Sequence, residues 1–406
     1  MKNYLYILIF LFFSSVGRSL AQDTTIQLVS KMDIQPNYTF WDGNQTMLMG
    51  YTQLLGAPIE LPSPTIMLSE GDSVELKLRN FSQPAPHTIH LHGLDVDQQN
   101  DGVPHLSFQV NHGENKSYFF KAPHPGTYIY HCHVFSSLHV QGGMYGLLIV
   151  KPSQPNMTWN GGFSFDKDYS WLTSEIDSNW HTNAVINQSY DSTIMSYAIP
   201  DYVPQYFLIN GKSETQLNLS SSGIEANANQ EIYLRLANIG FYGNRYIFPS
   251  ALNTRIISSD GRPLPQVENN DTLHIYPGER YGVLLNSSSE LVDSVLVDYL
   301  NLNTGLNENR QKVPVSIQGF AMVENLKISK FLVYPNPTDN ILNISILEDT
   351  DRVEIIVFGL DGRELMRKVA ENQEIKLQVG DLPKGIYVVR IEQDKNLLFN
   401  KLIVKK

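Results

Sequence analysis

Apolar and polar residues alternate with period two through much of this chain, and Gly, Pro, Asn and Asp break the runs at short intervals. Residues 64–78 show the pattern plainly: two alternating runs flank Glu70-Gly71-Asp72, which predicts strand, turn, strand. The second of these runs continues to Asn80, and Tyr118-Phe119-Phe120 and residues 144–150 read as further strands. Hardly any stretch repeats apolar residues every three to four positions, as an amphipathic helix would. An all-β chain of sandwiches or barrels follows, with its chemistry carried on the loops between strands.

The spacing of the runs divides the chain. Residues 22–152 form one β domain, and Lys151-Pro152-Ser153-Gln154-Pro155 reads as a linker. Residues 156–326 form a second β domain, and a third, smaller β-sandwich occupies 328–406 with Asp361-Gly362 as a hairpin turn. The apolar run from Leu5 to Phe13 is too short to span a bilayer. With Lys2 before it and Ser19-Leu20-Ala21 after it, residues 1–21 read as a secretory signal peptide. No other segment is long and apolar enough for a membrane span.

Composition narrows the partners. The formal net charge of −11 argues against nucleic acid. A single cysteine, Cys132, cannot form an internal disulfide, and 406 residues bury enough core without one.

That cysteine lies in Tyr130-His131-Cys132-His133, and His139 and Met144 follow closely. A thiolate, two imidazoles and a weak axial thioether are the ligand set of a blue-copper centre. Cys132, His139 and Met144 supply three of the four; His87, in Pro86-His87-Thr88-Ile89-His90-Leu91-His92-Gly93, is the best candidate for the second imidazole. A lone cysteine is ordinarily an inert core residue. That reading leaves unexplained why six of the 11 histidines fall in two short stretches, one of which holds the cysteine. Residues two apart on a strand share a face. His90 and His92 can therefore reach one metal or metal pair, and His131 and His133 point away from the copper held by Cys132 toward a second centre. His105, His112, His124, His181 and His274 stand outside these pairs.

These motifs resemble the multicopper oxidase family over nearly all of residues 45–325. His87-x-x-His90-x-His92-Gly93 is similar to the motif that carries one blue-copper and two cluster histidines. His131-Cys132-His133, His139 and Met144 are similar to its closing motif. The resemblance implies two cupredoxin-like Greek-key domains, with copper in the first and none in the second. Phe207-Leu-Ile-Asn-Gly-Lys212 and Tyr276-Pro-Gly-Glu-Arg-Tyr281 resemble pieces of the family's middle domain, with Asp260 and Arg280 structural. It also gives Asp101, in Asp101-Gly102, a place in proton delivery; a plain turn is the other reading.

Four histidines depart from the family pattern, whose oxygen-reducing cluster takes eight from two domains. A symmetric dimer of first domains would supply eight. Multicopper oxidase resemblance then implies oxidation of a small phenol or metal ion at the blue copper, through His139 or His87 near the surface, coupled to reduction of dioxygen. An electron carrier without oxygen reduction and a nitrite reductase-like enzyme are the alternatives. The order Tyr334-Pro-Asn-Pro337, Gly359-Leu-Asp-Gly-Arg363, Lys384-Gly-Ile-Tyr387 and Lys401-Leu-Ile-Val-Lys405 resembles the C-terminal sorting domain of type IX secretion in Bacteroidetes. It implies passage across the outer membrane to the cell surface or the medium, with secretion machinery as a partner.

Overall fold

A computed structural model describes residues 22–32, 35–82, 85–186, 188, 198–319, 331–347, 352–360, 362–370, 372–393 and 396–406. The expected signal segment 1–21, residues 320–330 at the expected junction of the second and third domains, and Asp361 lie outside them.

Two four-stranded sheets make the first domain. One runs in the order Met49–Thr52, Asp23–Met32, Ser73–Asn80, Asn115–Lys121. The other runs Ile66–Ser69, Tyr145–Lys151, Gly126–His131, His90–His92. Ser73–Asn80 shows how the sequence pattern becomes packing: Val74, Leu76 and Leu78 are buried while the residues between them are partly or fully exposed. Those side chains join Leu28, Tyr51, Tyr118, Tyr130, Cys132 and Met144 in one apolar cluster.

The second domain packs a six-stranded sheet against a five-stranded one. Lys167–Ile176 and Ile232–Asn238 run parallel at the centre of the larger sheet. The two domains share an apolar seam in which Leu48, Ile129, Val140 and Leu147 meet Leu172, Ile176, Leu208 and Ala237. Polar contacts cross beside it. Tyr145 donates to Ser174 Oγ at 2.9 Å, and Arg280 Nε donates to the Thr127 carbonyl at 3.4 Å. Arg235, 1 % exposed, donates to both carboxylate oxygens of Asp168 and reaches Thr127 Oγ1 at 3.3 Å. Arg280 is braced by Asp260 at 2.8 Å, so both residues stand where a structural role puts them.

Residues 331–406 form a separate compact unit with its own core. A three-stranded sheet and a four-stranded sheet build it, and Val353–Gly359 pairs with Glu364–Ala370 across the turn that contains Gly362. Among the described residues no helix is long and apolar enough to cross a membrane.

Candidate metal centres

Three strand ends and one short helix bring the chemistry together. His90–His92 pairs with the end of Gly126–His131, and His90 lies directly opposite His131. Cys132 follows that strand and turns inward. Ser136–Gln141 is a single helical turn and a half that was not legible in the alternation, and it delivers His139. The loop closes on itself: Met144 N–H donates to the His139 carbonyl at 2.9 Å, and Cys132 N–H to the Met144 carbonyl at 3.1 Å.

In the first group, Cys132 Sγ lies 3.2 Å from His139 Nδ1 and 3.6 Å from His87 Nδ1. The ligand atoms of all three fall within 4.8 Å of one another. Met144 is fully buried in the cluster that holds Cys132. Burial pushes the His87 imidazole well below its ordinary range and the His139 imidazole down to about 3. Both are therefore neutral at physiological pH, the form that binds a metal. Burial likewise raises the Cys132 thiol. The Nε2 atoms of His87 and His139 are buried without a hydrogen-bond partner among the described residues. Thus Nδ1 is the nitrogen each ring turns to the sulfur. A soft thiolate, two neutral imidazoles and a buried thioether at this separation fit copper. One expectation is corrected here: His87 and His139 are not near the surface but 0 % exposed.

On the other side of the Cys132 backbone, His90, His92 and His131 offer nitrogens within 4.8 Å of one another. His133 stands at the edge of this group, its ring centroid 5.2 Å from that of His90 and 5.9 Å from that of His131. His131 is buried; the other three are partly exposed. Burial, with the Arg280 charge adding to it, holds the His92 imidazole down at about 4. Burial holds that of His131 at about 3. Asp101 fixes His90: its carbonyl lies 2.8 Å and its carboxylate 3.2 Å from Nδ1. This leaves Nε2 of His90 for a metal, as a supporting carbonyl or carboxylate does for metal-binding histidines. Thr88 Oγ1 accepts from His133 N–H at 2.9 Å, tying the two motifs together. Thr88 drew no attention in the sequence, where it is one threonine between histidines.

Gly102 makes the Asp101 contact possible. Its φ is +77°, and a Cβ there would lie 1.9 Å from the Ile89 carbonyl oxygen. Gly102→Ala is therefore expected to cost about 3 kcal/mol or more and to displace Asp101 from His90. Urea denaturation reads the cost.

Sequence reasoning also missed the second-domain residues beside the helix. Gln141 Nε2 donates to the Glu175 carbonyl at 2.9 Å and to Tyr202 Oη at 2.8 Å. Burial raises the Glu175 carboxyl to about 7, against the opposing hydrogen bond from Phe241 N–H. Its ionised form is thus disfavoured in the fold. Stability from this group is full below the unfolded value of 4.5, falls as pH rises through about 7, and is flat above. Glu175→Gln should gain up to about 3 kcal/mol over the parent at pH 8, and the gain should vanish near pH 4.5. Urea unfolding of both proteins at the two pH values reads it. Of the histidines outside the pairs, His181 is buried with Nδ1 2.7 Å from the Met47 carbonyl, and His274 lies exposed on Thr272–Ile275.

Residues 41–155 and 172–312 each match a family model described as multicopper oxidase. The chain belongs to the multicopper oxidase family. Members of this family bind copper and are copper-dependent oxidoreductases. L-ascorbate oxidase of Nicotiana tabacum is 26 % identical over 334 residues, 76 % of this chain and 53 % of that protein. The copper-containing nitrite reductase of Neisseria meningitidis is 27 % identical over 220 residues, 53 % of this chain and 49 % of that protein. The chain thus spans about half the length of these curated relatives. Among solved structures, the blue copper oxidase from Nitrosomonas europaea superposes with a TM-score of 0.56 at 27 % identity, over 73 % of this chain and 86 % of that one. The multicopper oxidase domains are followed by a match at residues 332–405 to a secretion system C-terminal sorting domain, which indicates export by type IX secretion.

Proposed function

We propose that this chain is a secreted, laccase-like copper oxidoreductase that oxidises a small phenol or metal ion at a blue-copper centre and passes the electrons to dioxygen. His87, Cys132, His139 and Met144 hold the blue copper, and His90, His92, His131 and His133 hold a second centre. The observation that carries this reading is the shared backbone: Cys132 Sγ meets His87 and His139 on one side, and the rings of His131 and His133 meet His90 on the other. Copper bound at both would supply one-electron transfer at the first and oxygen reduction at the second. The chain's own part is to hold three imidazole-bearing segments rigid, to orient His90 through Asp101, and to offer a covalent path from the Cys132 sulfur to two histidines. Asp101 delivers protons to the second centre in this reading, which its carboxylate 3.2 Å from His90 Nδ1 supports.

Four histidines are half of what the family's oxygen-reducing cluster uses, and the second domain adds none to it. A twofold dimer that apposes the partly exposed histidine faces supplies the rest. The nitrite reductase alternative needs a further histidine from the second domain of a neighbour. His181 is buried within its own chain, so that reading rests on the exposed His274 alone.

Oxygen uptake with a phenolic or metal-ion reductant separates oxidase from electron carrier. Sustained turnover is expected. A single stoichiometric bleaching of blue colour, with no oxygen consumed, is the behaviour of a carrier.

A further inference from the structure

His87, Cys132 and His139 are each 0 % exposed, so no imidazole edge of the blue-copper centre meets solvent. The domain that carries no copper motif packs against this region. Trp180 and Val185 pack with Leu138, the residue before His139. Ile186, 3 % exposed, belongs to the apolar cluster of Cys132, Val134 and Met144, although every other buried member of that cluster comes from the first domain. Several contacts hold this packing in place. His181 Nδ1 lies 2.7 Å from the Met47 carbonyl. Trp180 Nε1 donates to the Pro200 carbonyl at 3.0 Å, and the Trp180 and Tyr202 rings meet edge to face at 5.3 Å. Asp177 N–H donates to Gln141 Oε1 at 3.3 Å, two residues beyond His139.

We propose that Trp180, Val185 and Ile186 determine access to the Cys132 site. Nothing that must touch Cys132 or the two imidazoles reaches them until these side chains move. The small phenol or metal ion that the site oxidises therefore docks on the outer face of this cover and gives up an electron across it. Small coordinating anions are barred. The inference rests on the copper reading only for its consequence for substrates; the cover itself can be tested without metal.

Cys132 is the only cysteine, so a thiol reagent reports on this site alone. The metal-free protein is treated with an aromatic disulfide reagent, and the labelling rate is compared with those of Ile186→Ala and Val283→Ala. Val283 is equally buried but lies in the second domain's own core, so it controls for general loosening. Ile186→Ala is expected to label at least about tenfold faster, because removing a buried isoleucine side chain lowers the cost of local opening by more than the factor requires. Val283→Ala should stay within about twofold of the parent. A smaller rise for Ile186→Ala, or an equal rise for Val283→Ala, overturns the proposal. Copper is added to each protein separately. Faster labelling of Ile186→Ala without blue colour in any protein leaves the cover standing and removes the copper reading. Blue colour with unchanged labelling removes the cover alone.

Discussion

Cys132→Ser folds but stays colourless when copper is added. The intense visible absorption of a blue-copper centre is a charge transfer from thiolate sulfur to Cu(II), and no other side chain of this chain can supply a thiolate. Serine keeps the size of the side chain and replaces the soft donor with a hard hydroxyl. His87 and His139 remain, so some copper binds, in an ordinary nitrogen and oxygen environment. In the proposed oxidase every electron from the reductant would enter at this site, so oxygen uptake is expected to fall to background. The fold survives because the pocket is lined by the apolar cluster around Leu76, Tyr51 and Tyr118, which does not depend on the sulfur. An intense visible band that persisted in Cys132→Ser would remove the ligand assignment.

His131→Gln has the opposite signature: blue colour is kept and oxygen reduction is lost. His131 is the buried member of the second group. Its ring lies 5.1 Å from that of His90 and 5.6 Å from that of His92, and its Nδ1 faces the Cys132 carbonyl at 3.1 Å. Glutamine fills much of the same volume but replaces an imidazole donor with a weak amide. Loss of a supporting partner already costs metal sites roughly 10–100-fold. Loss of a ligand from a centre with four is expected to exceed that, and oxygen uptake should drop at least about 100-fold. The two substitutions sit on adjacent residues, so the contrast tests whether their side chains serve separate centres. Visible spectra and oxygen uptake of the two variants, measured together, read it. Equal loss of blue colour in both would mean a single shared site.

Much of this was legible in the sequence, and the reasons differ by element. The strands declare themselves wherever one face is buried and the other wet, as in Ser73–Asn80. His90 and His92, and His131 and His133, could be assigned to one side because strand geometry alternates strictly. His87 could be joined to Cys132 only through ligand chemistry, since 45 residues separate them. Three features were not legible. The helix Ser136–Gln141 is too short to show a period. Its left-handed entry at Phe135, φ 44°, carries no glycine to signal it. Trp180, Val185 and Ile186, which pack with Leu138 and into the Cys132 cluster, look in sequence like ordinary core residues of another domain. Thr88 and Asp101 owe their roles to contacts across the fold that no local spacing encodes.

The central claim is that the chain holds one blue copper and half of an oxygen-reducing cluster. Copper per chain, measured with the mass in solution on the same reconstituted sample, tests it most directly. About five coppers per dimer are expected, two blue and three in one cluster shared between the subunits. A monomer with a single copper would contradict the account and leave an electron-transfer protein.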